Sequence, residues 1–237
     1  MKRKVLENIL LSAILFILMM MFLPSEFTVF AASETPLEII RETAEVLEEM
    51  DNALDSGMFR SVLKKAKGVA IFPSLTEIAL LGVGGFRGNG LVLRKDFETG
   101  NWYGPAFLKI SALGVGAKIG IQNVDLVLVI NDSDGLEAFM KKTFKFGGTL
   151  AWTVGPLGRS VSAEVDSDLT APIFSYSITK GLYFDAGSLQ GSTIKGYDSA
   201  NEKFWGGVIS NRTILEEMVV NNQDILKLCD YIENISD

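Results

Sequence analysis

Between residues 68 and 194 the apolar positions come in short runs broken by glycine, proline, asparagine and aspartate, a pattern of strands and tight turns rather than of long helices. The run at 125–130 (DLVLVI) is almost wholly apolar and of strand length. It is closed by Asn131-Asp132-Ser133-Asp134-Gly135, which predicts a buried central strand. Leu136, Phe139 and Met140 then recur at helical spacing, with Ser133 or Asp134 as N-cap, so a short helix follows the turn. The period returns to two at 149–154, between Gly147-Gly148 and Gly155-Pro156-Leu157-Gly158, and again at 160–165. Further strands are predicted at 69–72 (ending at Pro73), 78–83, 91–93, 102–107, 172–178, 181–185 and 191–194, with 96–101 as a hairpin turn. This spacing predicts an antiparallel sheet or barrel.

Helical periodicity marks the flanks. Thr35-Pro36-Leu37-Glu38 combines an N-cap threonine, proline at the first helical position and glutamate three after the cap. Leu37, Ile40, Ala44, Leu47 and Leu54 form an apolar stripe opposite Glu45, Glu48 and Glu49. That face is expected to pack on the domain; a membrane-surface helix is the alternative, which the acidic polar face disfavours. A second helix at 58–66 leads to Lys64, Lys65 and Lys67 before Gly68. Towards the C-terminus, Asp198 caps a short helix to Trp205, Thr213-x-x-Glu216 repeats the capping-box pattern, and Asn222 or Asp224 opens a last helix bearing Ile225, Leu228, Tyr231 and Ile232. Cys229 reads as a buried small hydrophobe. The expected fold class is α+β: an antiparallel β-rich core, sheet-like or barrel-like, with an N-terminal helical pair and a C-terminal helix.

The 237 residues, 48% of them hydrophobic, suit one core. Lys2, Arg3 and Lys4 precede an apolar run at 9–23, too short at 15 residues for the roughly 20 of a spanning helix, and Val29 with Ala31 suits signal-peptidase cleavage. Residues 1–31 are therefore expected to be a signal peptide, with an uncleaved anchor as the alternative; 32–237 form a single domain lying outside the cytoplasm. The net charge of −7 disfavours nonspecific nucleic-acid binding. A single cysteine excludes an internal disulfide, and the lack of histidine removes Ser-His-Asp and Cys-His chemistry. The glycines at 84–90 and 114–120 precede strand-like runs rather than helices, so they do not read as phosphate loops. Asp166 and Asp168 lack the further oxygen ligands of a calcium loop. No enzyme activity, metal or cofactor is expected.

Five segments then carry a family resemblance. Lys67-Gly68-Val69-Ala70-Ile71-Phe72-Pro73, Gly120-Ile121-Gln122-Asn123-Val124-Asp125-Leu126-Val127, Gly155-Pro156-Leu157-Gly158-Arg159, Ser175-Tyr176-Ser177 with Lys180-Gly181-Leu182, and Asn201 with Phe204-Trp205-Gly206 stand in the order found in the SYLF domain. The chain resembles a bacterial, exported SYLF protein over 67–206. The resemblance implies lipid binding: eukaryotic members bind phosphoinositides and, in yeast, actin filaments beside an SH3 domain. Here the leader makes a cytosolic actin partner unexpected. Ile178-Thr179 and Asn89 stand where members often carry bases, which thins the positive surface.

Lipid binding needs bases for headgroup phosphates and apolar or aromatic groups for the acyl boundary. The best local match is Lys141-Lys142-Thr143-Phe144-Lys145-Phe146, which equally fits a helix C-terminus followed by a strand burying its rings. Lys64, Lys65 and Lys67, with Arg87 and Arg94 as neighbours, are the second group. Arg159, after its Gly-Pro-Leu-Gly turn, suits phosphate or an internal carboxylate such as Asp125. Lys180 joins the candidates, while Gln122 and Asp125 fit turn-holding as well as ligand contact. The expected function is noncatalytic binding of phospholipid at the extracytoplasmic membrane surface. The alternative is a structural envelope protein engaging a protein partner through a strand edge or aromatic patch.

Overall fold

The apolar runs pair into one sheet. The computed structural model describes residues 34–52, 56–80, 83–115, 120–147, 152–155, 171–179 and 189–236. Two helices come first, α1 (Pro36–Asn52) and α2 (Ser56–Leu63). Four long strands follow: β1 (Gly68–Leu80), β2 (Val83–Lys95), β3 (Trp102–Val115) and β4 (Gly120–Ile130). Helix α3 (Ser133–Met140) and the short strands β5 (Thr143–Lys145), β6 (Thr153–Val154), β7 (Ile173–Thr179) and β8 (Thr193–Gly196) come next. The chain ends in α4 (Asp198–Trp205), α5 (Asn211–Glu217) and α6 (Gln223–Ser236). The strand order is β5-β8-β3-β2-β1-β4-β7-β6, antiparallel throughout except for the β6–β7 pair. Among the described residues β5 and β6 are the edge strands and do not pair with each other, and the α+β expectation with an antiparallel β-rich core holds. Residues Thr35–Asp237 make one compact unit, and no helix among the described residues is long and apolar enough to cross a membrane.

Strand alternation gives the sheet two buried faces. Val69, Ile71, Leu91, Leu93, Phe107, Val127 and Phe174 lie on the first, in one cluster with α1, α2 and α6. Ala70, Phe72, Val92, Leu108, Leu126 and Leu128 lie on the second, with α3, α5 and the Phe144–Phe146 segment. The capping box forms as expected: the Thr35 amide donates to Glu38 Oε2 (2.6 Å), and the Glu38 amide donates to Thr35 Oγ1 (3.3 Å). The packed stripe of α1 is Ile39, Ile40, Thr43, Val46, Leu47 and Met50, however, and Leu37 stays 60% exposed in the first turn.

Other expectations shift locally. The N-cap of α3 is Asp132, whose side chain accepts from the Gly135 amide, and that of α5 is Ser210, which accepts from the Thr213 amide. Pro73 does not end β1. A bulge between Phe72 and Leu75 absorbs it: Ser74 takes φ 52°, and its amide donates to Asp125 Oδ1 at 2.7 Å. The bulge also reverses the phase of alternation, so Phe72 and Leu75 both face the second cluster. Gly88 and Gly90 make room for them, since an added Cβ would lie 2.4 Å from Leu75 Cδ2 and 2.6 Å from Phe72 Cδ1 respectively. The strands expected at 160–165 and 181–185, and the first half of that at 149–154, lie outside the described residues.

Helix α6 is tied to the sheet by Glu233, which accepts from Lys95 Nζ and from Trp102 Nε1 (2.8 Å). The lysine hydrogen bond first, then the indole, holds its carboxyl below the ordinary range. A depressed folded-state pKa stabilises the fold above the unfolded value and loses that contribution as pH falls through the folded one. Glu233→Gln should therefore flatten the fall of Tm on acidification below about pH 4.5. Thermal melts of both proteins across that range check this.

Candidate functional site

Beyond the helical layer no described element packs across the first face of the sheet, and the register fixes what lies on it. Thr76 of β1 pairs with Asn123 of β4 and Arg87 of β2; Arg87 pairs with Ser111, Ser111 with Thr193, and Thr193 with Lys145 of β5. One step along, Asn89, Lys109, Lys195 and Thr143 form the next row. Their neighbours Phe86, Leu108, Ile110, Ile194 and Phe144 belong to the second cluster, so alternation puts both rows on the first face. Arg87, Lys145 and Lys195 are exposed, and none forms an ion pair with a described residue. Lys109 and Lys195 stand directly opposite each other, a like-charge cross-strand pair that costs stability. Lys109 is partly relieved by lying 3.7 Å from the centroid of the Tyr197 ring.

Of the residues singled out from sequence, the fold brings Arg87 and Lys145 into one row. Lys141 and Lys142 are exposed just before β5, where the Lys142 carbonyl accepts from the Gly196 amide (3.1 Å). The interleaved segment divides by parity. Lys145 faces outward on the first face, whereas Phe144 packs edge-on against Phe139 (4.9 Å) and tilted against Phe146 (5.5 Å) on the second. Lys64 and Lys65 are exposed at the opposite end of the sheet, and Lys67 donates to Ser133 Oγ (2.8 Å). At strand rise, Lys67 lies roughly 25 Å along β1 from the Arg87 row. Arg94 stacks on Tyr103 and pairs with Asp96 (3.3 Å). Arg159 and Lys180 lie outside the described residues. Sequence reasoning missed Lys109 and Lys195; alternation within β3 marks Lys109, but the β3–β8 pairing joins segments more than 80 residues apart.

Most of the described residues in the segments that carry the family resemblance are scaffold, Ile121 being exposed. Tyr176 is 1% exposed, edge-on to Phe59 at 4.9 Å, and burial pushes its phenol pKa up. Gly155 lies flat on that ring, where a Cβ would come within 2.1 Å. Asn201 accepts from the Phe107 amide (2.7 Å) and donates to its carbonyl (3.2 Å), and Trp205 Nε1 reaches the Pro105 carbonyl (3.0 Å), so both fasten α4 to β3. Asp125 holds the β1 bulge, and Gln122 donates to Glu77. Cys229 is buried, its thiol pushed up to about 12 by desolvation and then by Glu233 and Asp230. A groove of about 650 Å³ between α1 and α6 has an apolar floor including Ile40 and Leu228. Its rim sets Glu38, Glu45, Glu48 and Asp224 against Arg41 and Lys227. That balance repels an anionic ligand.

The family described as "Ysc84: Las17-binding protein actin regulator" matches residues 111–235. "LAS seventeen-binding protein 3" of Saccharomyces cerevisiae is 34% identical over 157 residues, covering 65% of this chain and 33% of that protein. "SH3 domain-containing YSC84-like protein 1" of Homo sapiens is 35% identical over 169 residues, covering 71% of this chain and 48% of that protein. The match thus spans between a third and a half of these relatives' length. With more than half of its length matched by the family, the chain belongs to the Ysc84 family of SYLF-domain proteins.

Proposed function

We propose that this chain binds anionic phospholipid without catalysing a reaction, at an extracytoplasmic membrane surface, through the uncovered face of its sheet. The observation that carries this reading is the set Arg87, Lys109, Lys145 and Lys195 on one open face, with Lys109 and Lys195 opposed and no carboxylate among the paired residues of the two rows. Each base near an anionic membrane is worth about 1 kcal/mol, so four supply about 4 kcal/mol, enough for reversible surface binding. A protein of net charge −7 needs such a local concentration of bases to approach an anionic surface. Lys141 and Lys142 extend the basic edge. The extracytoplasmic placement rests on the basic, apolar and small-residue order of residues 1–31, and the noncatalytic part on the lack of histidine.

Cosedimentation with vesicles tests this. At low salt the protein should pellet with phosphatidylglycerol-containing vesicles, pellet much less with pure phosphatidylcholine, and be released by about 0.5 M salt, where the screening length falls to about 4 Å. Absence of binding to any vesicle at low salt rejects the reading. The family's description as Las17-binding favours a second reading, a protein partner on the same face. A stoichiometric copurifying protein without vesicle binding would select it.

A further inference from the structure

One row further along the same face the chemistry changes from basic to apolar. Ile121 of β4 pairs with Ile78 of β1, Ile78 with Gly85 of β2, and Gly85 with Leu113 of β3. The three side chains are 74%, 50% and 94% exposed and adjoin one another, whereas the other exposed aliphatic groups among the described residues, such as Leu37 and Val208, lie on other elements. They sit near the end of β1, the end of β3 and the start of β4. Three successive rows, each roughly 7 Å from the next at strand rise, therefore run apolar (Ile121, Ile78, Leu113), then Arg87 with Lys145, then Lys109 with Lys195.

We infer that this apolar row is a membrane-insertion edge: Ile78, Leu113 and Ile121 enter the acyl boundary of a lipid bilayer while the basic rows behind them meet the phosphates. This rests on the lipid-binding reading and adds an orientation and a depth to it. A bilayer is the occupant that matches the order of the rows, apolar groups beneath a layer of anionic phosphate. A second copy of the chain does not match it. A twofold contact through the apolar row with its axis along the strands would set the Arg87 and Lys145 rows of the two copies beside each other, like charge against like.

The test places an environment-sensitive nitrobenzoxadiazole label on the full folded protein at Leu113→Cys. The control is Phe97→Cys, a 56% exposed apolar position in the turn at the other end of the same two strands. The native Cys229 is buried and resists labelling. On vesicles of phosphatidylcholine and phosphatidylglycerol, the Leu113 label should gain several-fold in emission, shift to the blue and be quenched by nitroxides on the acyl chains. The Phe97 label should stay as in water. In parallel, Leu113→Asp with Ile121→Asp, both at exposed positions, should weaken vesicle binding by about 100-fold with an unchanged circular dichroism spectrum. Binding to vesicles with the Leu113 label still in water overturns the insertion edge and leaves lipid binding standing. Failure to bind any vesicle removes both. Shielding of the Leu113 label without vesicles, growing with protein concentration, overturns insertion in favour of self-association.

Discussion

Gly90→Val should yield no folded protein at room temperature. A Cβ at Gly90 would stand 2.2 Å from the Ile71 carbonyl oxygen, 2.6 Å from Phe72 Cδ1 and 2.9 Å from Phe72 Cα. Two of those are backbone atoms of the central strand pair, so no rotamer change relieves the overlap. β1 must move away from β2 at its bulge, and both buried clusters lose their common wall. Severe overpacking of this kind costs more than about 4 kcal/mol, comparable with the total stability of an ordinary domain. Gly57→Ala is the matched control: nothing lies within 4 Å of its added Cβ, and removing a helical glycine should stabilise by about 0.5–1 kcal/mol. Soluble yield and thermal melts of the two variants check this. A Gly90→Val protein with native Tm would contradict the described packing of the bulge.

Arg87→Glu combined with Lys195→Glu should abolish binding to anionic vesicles while leaving the fold intact. Both side chains are exposed and without ion pairs among the described residues, so their replacement leaves no buried partner stranded. Each reversal removes about 1 kcal/mol of attraction and adds a similar repulsion, which sums to about 4 kcal/mol, or about 1000-fold in affinity. The loss should appear in vesicle titrations at low salt and shrink as salt rises, because screening weakens attraction and repulsion alike.

The β-rich core was legible in the sequence because its strands announce themselves locally. The 125–130 run, the hairpin at 96–101 and the Thr35–Glu38 capping box each lie within a few residues, and each appears where expected. What local pattern could not supply was phase. A proline at 73 reads as a strand end, yet a bulge stabilised by Asp125, 51 positions away, carries β1 through it and turns Thr76 and Ile78 onto the open face. The site was legible only in part for the same reason. Arg87 and Lys145 were singled out for separate local patterns, and their common row is a product of the β2-β3-β8-β5 pairing. Phe144 looked like a partner of its flanking lysines, but period two sends it to the opposite face. Lys64 and Lys65, prominent as a local cluster, end at the far side of the sheet, where nothing basic joins them from β8.

That separation permits a direct test in which net charge is held constant. Arg87→Glu/Lys195→Glu and Lys64→Glu/Lys65→Glu each change the charge by four units, from −7 to −11. Their affinities for the same phosphatidylglycerol-containing vesicles, measured side by side at low salt, separate a face from an overall charge. The sheet-face variant should lose binding by about 1000-fold, and the helix-end variant should stay within about tenfold of the unaltered protein. Equal losses, or a greater loss from the helix-end pair, would contradict the assignment of lipid binding to the open face of the sheet.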